Sequence, residues 1–411
     1  MKLRIGETMT PMISALSDCI IVDLTTQLPG PYCSMLLADM GARIIKIEPV
    51  DGDPLRTFPP LFASVNRGKQ SIAINLKKEA GREVLSRLFK QAHVVLEGFR
   101  PGVAARLGAG YDVACAANSA MVYCSISGFG QEGPYRTRAG HDINYLSIGG
   151  MLDQATPPVA PPVLISDLSS GLYAALAVVA ALTHRLKTGE GQYIDLSMTD
   201  CVLSWMAPEI ARADAEGQAS NNPLLSGLPH YDVFKTADGL FISLGIVYET
   251  HFWQRFCDLT GLTVWRDWST EKRMAHTEKI KTRLKTIFST ATRDEWNYRL
   301  QAADIPCGPV NALDELANDP YIEHRDPFFD LTASDGFKSR QVRSPYRSSQ
   351  ATEHFPEPPP VLGEHTHSIL IEAGYSVEEV GQMVEQGVVG RSGEERKRGR
   401  EEERGQEQKN H

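Results

Sequence analysis

The chain has 411 residues, 42% of them hydrophobic and 23% charged, a globular composition with room for about two cores. Its formal net charge of −9 argues against a general nucleic-acid binder, yet permits a local basic pocket. Seven cysteines lie scattered without a CxxC pair or metal spacing, which reads as buried thiols of a reducing compartment and implies no metal.

The first residues show no signal-like apolar run with a cleavage site, so the expected location is the cytoplasm. "DCIIVDLTT" reads as a strand. "LPGPYCSMLLADMGA" reads as a helix, with Pro31 in its first turn and Gly41 at its stop. "RIIKIEPV" is a second strand, "SIAINL" a third, "KKEAGREVLSRLFKQA" a helix, and "HVVLEGF" and "MVYCSISGFG" further strands. Strands alternating with helices give βαβ units and a parallel sheet, whose ligands bind outside the strands' carboxyl ends.

"PPVAPPV" is a stiff loop. The apolar helix Ser169–Thr183 follows; its run "LYAALAVVAAL" is too short to cross a bilayer and fits a core helix, so no membrane partner is expected. "RLKTGEGQYIDLSMTD" is a turn and a strand. The polar stretch 213–227 reads as a linker between a large domain (1–212) and a small one (228–325). The small domain opens on a hairpin around Ala237–Gly239 and continues with amphipathic segments Glu249–Thr260 and Lys279–Thr290. Residues 389–411 mix both charge signs without an apolar residue after Val389, as a disordered tail does.

No G-x-G-x-x-G or G-x-x-x-x-G-K-[ST] follows the first strand, so nicotinamide and P-loop chemistry are disfavoured, although Glu48 sits where a dinucleotide fold holds a ribose. Arg56, Arg67, Lys69, Lys77 and Arg100 fall in loops near strand ends. Each reads as surface solvation alone; together they suit a phosphorylated ligand. Asp167 precedes an apolar helix and reads either as its N-cap or as a carboxylate held at a helix start. His141 is either a structural histidine or a catalytic one, and Asp142 can cap "INYLSIGG". Spacing leaves both choices open.

The words "PGPYCSMLLADMGARIIKIEP", "NRGKQSIAINLK", "EGFRPGVAARLG", "SISGFGQEGPY", "KTGEGQYIDLSMTD", "HYDVFKTADG" and "LGEHT" resemble the family III CoA-transferases. That group includes the carnitine and formyl-CoA transferases and the α-methylacyl-CoA racemases, and the resemblance runs from about Cys19 to Gly387. It implies an α/β fold with a Rossmann-like large domain, a smaller α+β domain, and a segment 326–388 returning to the large one. It also implies an interlocked homodimer that shares its active site between chains.

The implied ligand is an acyl-CoA, with coenzyme A arriving as part of the substrate and no resident cofactor. The resemblance places the CoA on Arg56, Arg67, Lys69, Ile74, Asn75, Leu76, Lys77, Arg100, Gly140, Asp142, Ile143, Asn144 and Tyr145. "AGHDINY" is similar to the racemase wording and implies a His141–Asp167 acid–base pair, with Glu249 in "YETHFW" tuning His141 from the partner chain. Proton removal beside a thioester needs one base and one acid on opposite faces, plus donors for the enolate oxygen, expected from backbone N–H groups at a helix start. "KIEPVDGDPLR" instead looks like a transferase, in which Asp167 is the nucleophile that becomes an aspartyl-CoA thioester. A CoA-binding protein without activity is the third class.

Overall fold

The computed structural model describes residues 11–12, 14–155, 157–216, 227–347, 352–353 and 356–390. The chain divides into two units, one reaching Met206 and resuming at Pro327, the other Ala207–Asp326. The expected linker starts inside a helix, Ala207–Glu216, because that stretch carries helix formers up to Glu216; residues 217–226 lie outside the described ones.

The first unit is built on a six-stranded sheet, parallel throughout: β1 (Ile20–Asp23), β2 (Arg43–Glu48), β3 (Lys69–Ala73), β4 (Val94–Glu97), β5 (Val122–Ser127) and β6 (Gln192–Ser197). Their order is β3-β2-β1-β4-β5-β6. This is the doubly wound order, and its direction reverses between β1 and β4. Successive strand residues feed opposite faces: Ile21, Ile44 and Leu96 join one core, and Val22, Ile45 and Val95 the other.

Helices cover both faces. On one face lie α1 (Pro29–Ala38) and the long α5 (Ile165–Thr188), which buries Ala174, Val178 and Ala181. On the other lies α2 (Glu79–Gln91), with Val84, Leu88 and Phe89 inward. Pro29 opens α1, Pro31 lies in its first turn as expected, and Gly41 turns the chain out at φ +96°. Helix α5 exceeds the expected Ser169–Thr183, and its 24 residues are long and apolar enough to cross a membrane, with half of that window buried. It leaves Leu172, Leu176 and Leu186 exposed.

Two further short helices belong to this unit: α3 (Tyr111–Ala117) and α4 (Asp142–Ile148). The returning segment brings Ile369, Leu370 and Val380 into the second core. Val389 and Gly390, expected in the tail, belong to the folded unit: Val389 is buried and bridges Ile74, and the Gly390 N–H donates to the Ala73 carbonyl. Residues 391–411 lie outside the described ones.

The second unit is a small α+β body. Strands β7 (Tyr231–Lys235) and β8 (Phe241–Gly245) form the expected hairpin, turning at Gly239 (φ +83°), and β9 (Cys307–Pro309) pairs with β8. Phe234, Trp253, Phe256, Phe288 and Trp296 fill its core.

Candidate active site

A cavity of about 360 Å³ opens in the first unit where the strand order reverses. Its walls are the β1–α1 turn (Thr25–Gly30), the ends of β4 and β5, the segment leading into α4, and the start of α5. This is the edge on which doubly wound folds hold ligands. The start of α1 also lines it, so the positive end of that helix faces whatever enters.

No glycine-rich loop shapes the β1–α1 turn. A buried ionic network does so instead. The Asp23 carboxylate accepts from the Thr25 N–H (2.9 Å), the Thr25 hydroxyl (2.5 Å) and the Ser34 hydroxyl (2.5 Å). Lys46 Nζ donates to the Thr25 carbonyl and to Asp53, both at 2.9 Å, and Asp53 accepts from the Gln27 N–H. Gln27, at φ +66°, is a non-glycine residue in the left-handed region and lines the cavity. Only glycine fits position 30, where a Cβ would meet Thr25 Cβ at 2.2 Å. Burial works against charge on Asp23, but Lys69, Lys46 and the two hydroxyls outweigh it and hold the carboxyl below its usual range.

Several expected phosphate ligands are spent inside this framework. Lys69 is fully buried, donating to Asn66 (2.8 Å) and the Pro31 carbonyl (2.9 Å) with Asp23 at 3.5 Å. Burial, only partly opposed by Asp23, pushes its ammonium down to about 7. Arg67 grips Asp39 with two bonds of 3.0 and 2.6 Å. Arg56 gives Glu48 two bonds of 2.7 Å and lies over Phe62. None of the three lines the cavity, and Glu48, also bonded to Ser71, is not free for a ribose. Ile74, Asn75, Leu76 and Lys77 follow β3 outside the cavity; Asn75 caps its own turn by accepting from the Lys77 N–H.

Arg100, Gly140, Asp142 and Tyr145 do line the cavity, together with His141 and Asp167. His141 is exposed and stands just before α4, its N–H donating to Asn144 Oδ1 at 3.0 Å, so Asn144 shapes the helix start; Ile143 lies on the exposed side. Asp142 is buried and does not cap its own helix. Its Oδ1 accepts from the N–H groups of Ser166 (2.7 Å) and Asp167 (3.2 Å), so it caps α5 across 24 and 25 positions of sequence.

Asp167 is therefore not an N-cap. Leu164 holds that position and Asp167 lies in the first turn, aimed at the cavity. Burial, with Asp142 beside it, raises its carboxyl to about 7. The bonds to Asp142 occupy two of the backbone donors expected for an enolate oxygen.

Glu249 belongs to the second unit. It is exposed, precedes α6 (Thr250–Thr260), and accepts from the Val247 N–H at 3.2 Å. Among the cavity residues that sequence reasoning missed are Gln27, whose conformation no local pattern reveals, and Arg136 and Arg138, which share the "RTRAGHD" word with His141.

A doubly wound sheet with a His/Asp-lined cavity at its reversal point is the layout of an α/β protein with a candidate acid–base site. The chain belongs to CoA-transferase family III, whose profile matches residues 16–366. It is 34% identical over 390 residues to the succinate–glutarate CoA-transferase of Agrobacterium fabrum, covering 87% of this chain and 95% of that protein. It is 33% identical over 380 residues to the human α-methylacyl-CoA racemase, covering 90% and 96%. A CaiB/BaiF family protein from Brucella suis shares its fold with a TM-score of 0.78 and 30% identity, over 87% of this chain and 99% of that one. Relatives of both activities thus stand at equal distance.

Proposed function

We propose that the chain is an acyl-CoA racemase, moving the α-proton of a 2-methylacyl-CoA from one face of the carbon to the other. One observation carries this reading: His141 and Asp167 line one cavity, and the Asp167 carboxyl is held near neutrality. A carboxyl raised to about 7 can act as the acid opposite an imidazole base in reversible proton transfer. A carboxyl at its ordinary value would be a poor acid there. His141 takes the proton from one face while Asp167 returns one to the other, and the roles exchange for the opposite enantiomer. The positive end of α1 and Arg100 supply the field an enolate oxygen requires. CoA enters as part of the substrate, and no metal takes part in this scheme.

His141→Ala should lower α-proton exchange by at least about 10²-fold, the usual weight of a positioned base. Exchange that persists in that variant would contradict the proposal.

Transfer of CoA between acids is the second reading, favoured by the likeness to the succinate–glutarate enzyme. It makes Asp167 a nucleophile and His141 a bystander. Trapping CoA as a thioester on Asp167, with ping-pong kinetics intact in His141→Ala, would establish it.

The working form is proposed to be a homodimer in which Glu249 of a second copy reaches His141. The exposed leucines of α5 and the exposed Glu249 support that arrangement. Seven free thiols suit a cytoplasmic setting.

A further inference from the structure

Residue 27 holds a backbone conformation that its side chain does not favour. Among the described residues fifteen glycines but only three other residues have φ in the left-handed region. Two of the three, Asp304 and Asp326, are aspartates, whose short side chains tolerate it. The third is Gln27, at φ +66°. Fully buried side chains impose this conformation from both sides. Lys46 Nζ donates to the Thr25 carbonyl and to Asp53, each at 2.9 Å, and Asp53 accepts the Gln27 N–H at 3.3 Å. Glycine would adopt the same backbone geometry without strain.

The turn alone therefore does not account for a glutamine. Its side chain is exposed and lines the cavity with His141 and Asp167, and its amide makes no hydrogen bond among the described residues. The chemistry proposed for the cavity needs such a donor. Proton removal beside a thioester, or attack on its carbonyl by Asp167, drives negative charge onto the carbonyl oxygen. The Ser166 and Asp167 N–H groups, the donors expected at the start of α5, are both taken by Asp142. Ser127 also lines the cavity with an unpartnered hydroxyl, but that oxygen is buried out of reach. Strain at a residue fixed by its surroundings marks a functional position.

We propose that the Gln27 side-chain amide donates a hydrogen bond to the thioester carbonyl oxygen of the acyl-CoA, and that the strained β1–α1 turn presents it there. The inference rests on the acyl chemistry proposed above and holds for either form of it. An enolate and a tetrahedral adduct on Asp167 both place charge on that oxygen. A neutral amide suits the task, because its bond strengthens as the oxygen becomes anionic and so favours the transition state over the bound substrate.

The test uses the full-length protein and Gln27→Gly, which keeps the left-handed turn and removes only the side chain. Its melting temperature should stay within about 2 °C of the native value, since glycine accepts this φ. Two unreactive CoA analogues isolate the oxygen: a ketone in which CH₂ replaces the thioester sulfur, and a thioether in which CH₂ replaces the carbonyl. Calorimetry should find the native chain binding the ketone about fivefold tighter, the weight of one neutral hydrogen bond, and Gln27→Gly binding the two within about twofold. In whichever reaction the native chain catalyses, Gln27→Gly should lower kcat at least about tenfold and leave KM within about twofold. An equal loss of affinity for both analogues, or a raised KM at unchanged kcat, would mark a contact to the pantetheine arm and overturn the proposal. A ketone preference that is missing from the native chain, or that survives in Gln27→Gly, would overturn it too. So would a variant that melts far below the native chain, the mark of a purely structural side chain. Analogue binding is read without turnover, so it stands whatever reaction the chain performs. Absence of both reactions in the native protein would count against the catalytic reading alone.

Discussion

Two neighbouring carboxyls set the chemistry at the residue scale. Asp142 does structural work through Oδ1 and electrical work through its charge, and two substitutions separate these roles. Asp142→Asn keeps an acceptor for the Ser166 and Asp167 N–H groups but removes the charge that helps raise Asp167. The limb of the pH–rate profile near 7 should then move toward acid with little loss of stability, as pH-resolved initial rates will show. Asp142→Ala removes the cap and should cost about 1 kcal/mol in chemical denaturation. Asp167 itself carries a stability penalty. Its folded pKa stands above its unfolded value of 3.8, so the folded state binds more protons between 3.8 and about 7, and stability falls as pH rises through that window. Asp167→Asn should therefore melt higher than the native chain at pH 8 and match it near pH 4, at roughly 2–4 °C per kcal/mol.

The sequence was legible at this scale where the signal was local. "AGHDINY" locates a helix start to within one residue because the word is contiguous: Asp142 is the expected cap, and His141 stands there. The cap of α5 was not legible, because Asp142 supplies it from 24 positions away. Arg67 and Lys69 were misread for the same reason. A basic residue at a strand end looks identical whether water or a carboxylate faces it, and their partners Asp39 and Asp23 lie 28 and 46 positions back.

The decisive element is the β1–α1 turn, shaped by buried ion pairs where other doubly wound folds use glycines. Lys46 ties Thr25 to Asp53, and Asp53 ties down the Gln27 N–H. Removing one member leaves a buried charge uncompensated, so Lys46→Met should cost about 3–5 kcal/mol in urea denaturation at pH 7. The Asp23 carboxyl is held below 3.8. Its contribution is therefore complete above 3.8 and disappears as pH falls through the lower folded value, which makes the turn acid-labile. Alternating strands and helices made the sheet itself legible, since each strand is a short β-branched run bounded by turn residues. The length of α5 was not: its bounds, four residues before Ser169 and five beyond Thr183, are set by the Asp142 cap at one end and Gly189 at the other.

At the scale of the whole molecule, the chain carries its candidate acid–base pair in one unit and Glu249 in the other. The homodimer proposed above makes this division testable. Mixing an inactive Glu249→Gln chain with an inactive His141→Ala chain should restore activity in the hybrid, whereas an active site completed within one chain would leave the mixture inactive. Analytical ultracentrifugation of the native protein should give twice the 45.3 kDa of the chain.

The central claim is that one cavity moves a proton across a carbon centre, and the direct measurement is stereochemical. A single enantiomer of a 2-methylacyl-CoA is incubated in D₂O with no acceptor acid present. Racemisation accompanied by uptake of one deuteron at the α-carbon is the predicted result. Full retention of configuration and of the α-proton, with CoA passing to an added carboxylic acid, would contradict it.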